Sequence, residues 1–134
     1  MFNIHGDERG SLLPIEFAKD LNFSPKRCFV VTDVPRDMER GGHAHWHTQQ
    51  LLICVKGKIN CTLDYGNYNK KSTMLNPGDS IEVPPLVWDT QDFLTGDDVL
   101  LVMCSTEYEK SDYILDYDEF THIINGIEYD SERY

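Results

Sequence analysis

Residues 40–50 read RGGHAHWHTQQ, placing histidines at 43, 45 and 47 directly behind a pair of glycines. A strand alternates its side chains between two faces, so His43, His45 and His47 are expected on one face, with Ala44 and Trp46 on the other. If that face lines the interior of a barrel, the imidazoles share one cavity. They would then hold a metal, move a proton, or simply pack, and the rest of the chain has to separate these possibilities.

Outward from this stretch, short β-rich runs recur at 27–33, 42–47, 51–55, 58–65, 71–75, 80–83, 87–92 and 99–105. Turn signals separate them, which is the pattern of an all-β sandwich or barrel. Lys56-Gly57 reads as a tight hairpin turn, and Asn76-Pro77-Gly78-Asp79 and Leu94-Thr95-Gly96-Asp97 as two further turns. Near the C-terminus the period changes. Ile114, Tyr117, Phe120, Ile123 and Ile124 follow the spacing of an amphipathic helix. The spacing predicts a short helix over about 112–125, capped by Ser111 and ended by Asn125-Gly126, closing one side of the barrel.

A chain of 134 residues with 40% hydrophobic and 26% charged residues reads as one globular domain over 1–134. Its net charge of −11 argues against nucleic acid or an anionic membrane as partner. No apolar run approaches the roughly 20 residues of a membrane span. The opening MFNIHGDERG lacks the layout of a secretory signal, so a cytoplasmic location is expected. Cys28, Cys54, Cys61 and Cys104 form no CxxC pair and are expected to pack as buried thiols. Charge is uneven along the chain. From Asp89 onward 13 acidic residues face only Lys110 and Arg133, while residues 1–40 hold Arg9, Lys19, Lys26, Arg27, Arg36 and Arg40. That distribution suggests a local positive site for a small anion.

His43-Ala44-His45 followed by a polar residue and Gly57 resembles the first motif of the cupin superfamily, with Gln50 in the glutamate slot. The second motif resembles Gly78, Pro84 and Asp89, the aspartate standing where a histidine is usual. His43, His45 and Asp89 would suit iron(II) as a 2-His-1-carboxylate set. Without a metal, two imidazoles with ordinary pKa near 6.5 suit proton transfer near neutral pH.

The stretches DERGSLLPIE (7–16), PKRCFVVTDVP (25–35), RGGHAH (40–45), QLLICVKGKINCTLDYG (50–66), PPLVWDTQDF (84–93) and STEYEKSDYILDYDEF (105–120) occur in this order. Together they resemble the sugar 3,4-ketoisomerases that act on thymidine-diphosphate (dTDP) 4-keto-6-deoxyglucose, the WxcM-like or FdtA-like group. The resemblance implies a cupin-type jelly-roll β-barrel working without metal or organic cofactor, as a homodimer with exchanged N-terminal strands. It also implies a dTDP-linked 4-keto-6-deoxyhexose substrate, on a route to 3-amino-3,6-dideoxyhexoses that a later aminotransferase continues.

The family's catalytic histidines map onto His43, expected as the base at carbon, and His45, its partner. Arg9 and Arg40 are expected to contact the sugar or the pyrophosphate, and Tyr65, Tyr108 or Trp88 to stack on thymine. Gln50, Asp89 and Phe29, the last replacing a tyrosine of some relatives, complete the expected substrate contacts. Arg9 resembles the galacto-forming type, and Asp89 matches neither the histidine nor the arginine that relatives carry after LVW, so a 3-keto-6-deoxygalactose product is expected. A cupin-fold nucleotide-sugar 3,5-epimerase, an iron(II)-dependent dioxygenase and a non-catalytic sugar-nucleotide binder are the rival readings.

Overall fold

The β-rich runs fold into two antiparallel sheets laid face to face, in a computed structural model that describes residues 2–132 and side chains as far as residue 127. Arg133, one of the two basic residues of the acidic C-terminal third, lies outside the described residues. In chain order the elements are β1 (His5–Asp7), β2 (Gly10–Leu12), α1 (Phe17–Asp20), β3 (Arg27–Val31), β4 (Met38–His45) and β5 (Gln50–Lys56). There follow β6 (Ile59–Asp64), β7 (Lys70–Leu75), β8 (Ser80–Val83), β9 (Trp88–Phe93), β10 (Val99–Cys104), β11 (Tyr113–Ile114) and α2 (Tyr117–Glu132).

One sheet has the order β3-β10-β5-β8 and the other β11-β4-β9-β6-β7. Among the described residues no ladder joins them, so the expected barrel takes the form of a two-layer jelly roll. Leu52, Cys54, Leu100 and Val102 of the first sheet meet Ile59, Cys61, Leu63 and Phe93 of the second. Each of these Leu, Val, Ile and Phe side chains contributes about 1.5–3 kcal/mol on burial.

Lys56-Gly57 is not the hairpin turn the sequence suggested, because β5 and β6 belong to different sheets. Here the chain crosses from one layer to the other. Gly57 has φ +89°, and a Cβ on it would stand 2.0 Å from Asp98 Oδ1. That carboxylate accepts from the backbone N–H groups of Lys58 (2.8 Å) and Thr95 (3.0 Å), which locks the crossing. The turn at 76–79 is as expected, with the Asp79 N–H donating to the Asn76 carbonyl.

The helical reading of the C-terminal segment needs correction at both ends. Lys110–Asp112 is a single 3-10 turn, Tyr113–Ile114 is a strand, and α2 begins only at Tyr117. Asp116, not Ser111, caps it, accepting from the N–H groups of Asp118 (2.8 Å) and Glu119 (3.1 Å). The backbone helix continues past Asn125-Gly126 to Glu132. Its inner stripe packs on the outer face of the five-stranded sheet, where Phe120, Ile124 and Ile114 bury Ala44.

The N-terminal segment covers the outside of the other sheet, Phe2, Leu13, Ile15, Leu21 and Phe23 packing on Leu51, Ile53 and Met103. The β1–β2 hairpin joins neither main sheet and is exposed along its length. Three cysteines are buried as expected, but Cys28 is exposed. It pairs across from Met103, on the opposite side of β3 from the inward-facing Arg27 and Phe29.

Candidate active site

The glycine pair sets the phase of the histidines. β4 and β9 run in register from Met38↔Phe93 to Gly41↔Thr90, and then His43 pairs with Asp89, leaving Gly42 as the extra residue of a bulge. Gly41 has φ +82°, and a Cβ there would lie 2.8 Å from the Asp89 carbonyl oxygen. Only glycine allows β9 so close. Beyond the bulge, His43 lies opposite Asp89, which itself pairs with the core residue Leu63. His43 and His45 therefore face the interior, and Ala44 the outside.

The third histidine does not join them, contrary to the alternation read from the sequence. β4 stops at His45, and His47 is exposed beyond it. The turn is held by Asp112, whose carboxylate accepts from the N–H groups of His47 (2.8 Å) and Thr48 (3.2 Å) and from the Thr48 hydroxyl. The same contacts bring the next residue, Tyr113, to its place opposite His45 in the β11–β4 pair.

The rings of His43 and His45 lie 5.0 Å apart, edge to face. Tyr113 packs against both, at 4.5 Å from His45 and 5.4 Å from His43. From the facing sheet, Arg27 donates to the Tyr113 hydroxyl (3.0 Å) and lies over the rings of Phe29 and Tyr108, each at 5.2 Å. Gln50 donates to the Cys104 sulfur (3.4 Å), and Gln91 donates to Asp89 Oδ2. Four buried polar atoms among the described residues have no partner: Arg27 Nε, His43 Nδ1, His45 Nε2 and Asp89 Oδ1. Buried polar atoms are nearly always paired, so four without partners around the imidazoles set this part of the interior apart from the apolar core.

Burial lowers the pKa of His43, and burial together with the neighbouring His43 lowers that of His45 to about 4. Arg27 pushes His45 the same way, and Asp112 pulls it back. Burial raises Asp89 to about 7, against the hydrogen bond from Gln91. Near neutral pH the site thus offers uncharged imidazoles as bases beside a carboxyl group poised between its two states. That is the equipment of proton transfer.

Residues 1–125 match the family model FdtA, described as WxcM-like, C-terminal. The chain belongs to this family. It is 36% identical over 126 residues to the TDP-4-oxo-6-deoxy-alpha-D-glucose-3,4-oxoisomerase of Aneurinibacillus thermoaerophilus, covering 94% of this chain and 91% of that protein. Among solved structures, it is similar to the sugar 3,4-ketoisomerase QdtA of Thermoanaerobacterium thermosaccharolyticum in complex with TDP, at 35% identity and a TM-score of 0.84, covering 93% of this chain and 91% of that one. A histidine-to-asparagine mutant of QdtA in complex with TDP-4-keto-6-deoxyglucose matches with the same TM-score, 34% identity and the same coverage. The dTDP-6-deoxy-D-glucose-3,5-epimerase of Legionella pneumophila is similar in fold alone, at 14% identity and a TM-score of 0.71 over 85% of this chain and 69% of that one.

Against this family background the expected contact residues divide. Phe29, Gln50 and Asp89 lie on the two inner faces with the histidines, as the pairings Val102↔Phe29, Cys104↔Gln50 and Leu63↔Asp89 require. Arg40 is exposed opposite Gln91, before the bulge. Arg9 sits on the protruding hairpin and pairs with Asp7 at 2.7 Å, so one chain by itself does not bring it to the histidines. Trp88 is a correction. It faces outward and packs on Tyr117 and Phe120 of α2, on the side of the sheet opposite the imidazoles.

Of the stacking candidates, Tyr65 is on the outer turn after β6, and only Tyr108 approaches the site, 5.7 Å from Tyr113. Among the described residues no three His, Cys, Asp or Glu side chains are grouped to hold a metal ion. Tyr113 and Arg27 were missed as site residues. Asp116 with Glu119 three positions later is a capping signature, and it would have moved the helix start and released Tyr113 to a strand.

Proposed function

We propose that the protein is a dTDP-4-keto-6-deoxyglucose 3,4-ketoisomerase. The observation that carries this reading is the inward-facing imidazole pair, His43 and His45, with a buried unpartnered nitrogen on each. It stands in a chain 36% identical to an enzyme named for that conversion.

The C4 ketone acidifies the C3 proton, which His43 removes as a neutral base. The electron pair of the C–H bond forms the C3=C4 double bond, and the negative charge moves to the C4 oxygen. His45 passes the C3 hydroxyl proton toward the C4 oxygen. Return of a proton to C4 then leaves the ketone at C3, with no change in the carbon skeleton. Asp89, opposite His43 and able to carry a proton near neutral pH, is the group we assign to tuning that return. Arg40 and Gln50 are assigned to the substrate, with Phe29 as an apolar wall. Delivery to the face of C4 that yields the galacto product is the stereochemical reading, and it rests on Arg9.

A homodimer in which the exposed β1–β2 hairpin crosses to the other subunit would give Arg9 a site to reach. Light scattering at micromolar concentration tests it, a dimer mass being expected.

A proton NMR time course in deuterium oxide, after EDTA treatment, tests the activity. Conversion of dTDP-4-keto-6-deoxyglucose to a 3-keto sugar with deuterium at C4 is expected, and the C4 configuration reports galacto or gluco. Exchange at C3 and C5 with no 3-keto product would make the protein an epimerase. Turnover only after iron(II) is added would return the histidines to metal binding.

A further inference from the structure

Arg27 is anomalous for so acidic a chain. Among the described residues the ion pairs are Arg9–Asp7, Lys19–Glu16 and Lys70–Asp64, and Arg27 has no carboxylate partner despite 23 acidic residues in the sequence. Its side chain is half-buried, and its neighbours are neutral: the Tyr113 hydroxyl, the Cys104 sulfur (3.5 Å) and the faces of Phe29 and Tyr108. Its Nε is buried without a partner. A cation drawn partly out of water and left unpaired is costly unless an anion completes the site.

Tyr113 makes the arrangement specific. Its hydroxyl oxygen accepts from Arg27, which leaves its own proton free to donate, and its ring touches both imidazoles. A guanidinium that polarises a phenol packed against the imidazoles of the proposed base pair has the character of an oxyanion site. We infer that Arg27 and the Tyr113 hydroxyl are the donors that stabilise the enediolate oxygen formed when His43 takes the C3 proton. The inference deepens the isomerase reading and rests on it.

Proton abstraction creates an imidazolium on His43 and an enediolate together, and Arg27 favours the second. In the resting site burial and the neighbouring His43 keep His45 neutral, with Arg27 adding to them, and the attraction of Arg27 acts on the anion that appears only during reaction.

The test compares wild type with Arg27→Met, Arg27→Lys and Tyr113→Phe, measuring kcat and KM by NMR, TDP affinity by calorimetry, and Tm. Arg27→Met is expected to lower kcat about 10²–10³-fold, the effect of losing an oxyanion donor, with TDP affinity within about twofold of wild type. Arg27→Lys should recover part of that loss, and Tyr113→Phe should lower kcat about 10²-fold with KM unchanged. If Arg27→Met does not fold, Tyr113→Phe decides, since it removes a single oxygen atom. Wild-type kcat in Tyr113→Phe would overturn the inference, as would a tenfold loss of TDP affinity in Arg27→Lys with kcat retained, which would make Arg27 a diphosphate contact. A wild-type protein that leaves the ketosugar unchanged would instead overturn the functional reading on which this rests.

Discussion

The two faces of the five-stranded sheet are built from the same strands and treat polar groups in opposite ways. On the outer face Asp64 is buried but saturated, accepting from the Tyr117 hydroxyl and the Gly66 N–H (2.8 Å), with Lys70 at 4.0 Å. On the inner face Asp89, one strand away, keeps Oδ1 unpartnered. Trp88 beside it packs half-buried against Tyr117 and Phe120 of α2, whereas His43 and His45 each keep a buried nitrogen without a partner. An enclosed polar group with its partners in place serves stability. One left without them is held ready for something that arrives.

That contrast predicts a separation of effects. His43→Asn is expected to lower kcat by about 10³-fold or more while shifting Tm by only a degree or two, read by NMR turnover and thermal melting on one preparation. Phe120→Ala, on the sealed face, should do the reverse. Phe120 is fully buried, so its truncation should cost about 3–5 kcal/mol in urea unfolding, with kcat per folded molecule unchanged. A catalytic defect in Phe120→Ala would break the division between faces.

Gly41→Ala attacks the junction of the two faces. The φ of +82° and the approach to the Asp89 carbonyl predict a loss of about 1–3 kcal/mol, together with lower activity as the bulge relaxes and the histidines lose their phase. Full activity in a stable Gly41→Ala protein would detach the bulge from the site.

The smallest effect is on pH. The folded pKa of Asp89 is raised to about 7, so its contribution is present below the unfolded value near 3.9 and is lost as pH rises through about 7. The folded pKa of His45 is lowered to about 4, so its contribution is present above about 6.5 and is lost as pH falls through about 4. Between about 4.5 and 6.5 the Asp89 slope opposes those of His45 and of His43, whose pKa burial also lowers, so the rise of wild-type stability with pH should be damped in this window. Asp89→Asn removes the opposing slope and should make stability rise more steeply with pH, by up to about 1.4 kcal/mol per unit more than wild type. Urea midpoints from pH 4.5 to 8 would read this, and a profile in the variant no steeper than that of wild type would contradict the opposition.

The sequence by itself determined the eight strands β3 to β10, the turn at 76–79 and the histidine pair, because these rest on period-two alternation, on local turn chemistry and on motif spacing. It pointed to the family through the ordered stretches that resemble it, but it gave no sign of β1, β2 or β11. The helix start was also legible in Asp116 and Glu119 but was outweighed by the apolar stripe that begins at Ile114. Tertiary structure decided the rest. Whether Lys56-Gly57 closes a hairpin or crosses between sheets depends on which strand each side pairs with, and local propensity holds no record of that. His47 leaves the inner face because Asp112, 65 residues away, bends the chain at Trp46. Trp88 turns outward because its neighbour Asp89 pairs with an inward His43, and the bulge that sets this phase was visible only as two glycines. Arg27 and Tyr113 meet across 86 residues of sequence and from opposite sheets, so the donor pair exists only once the layers have closed.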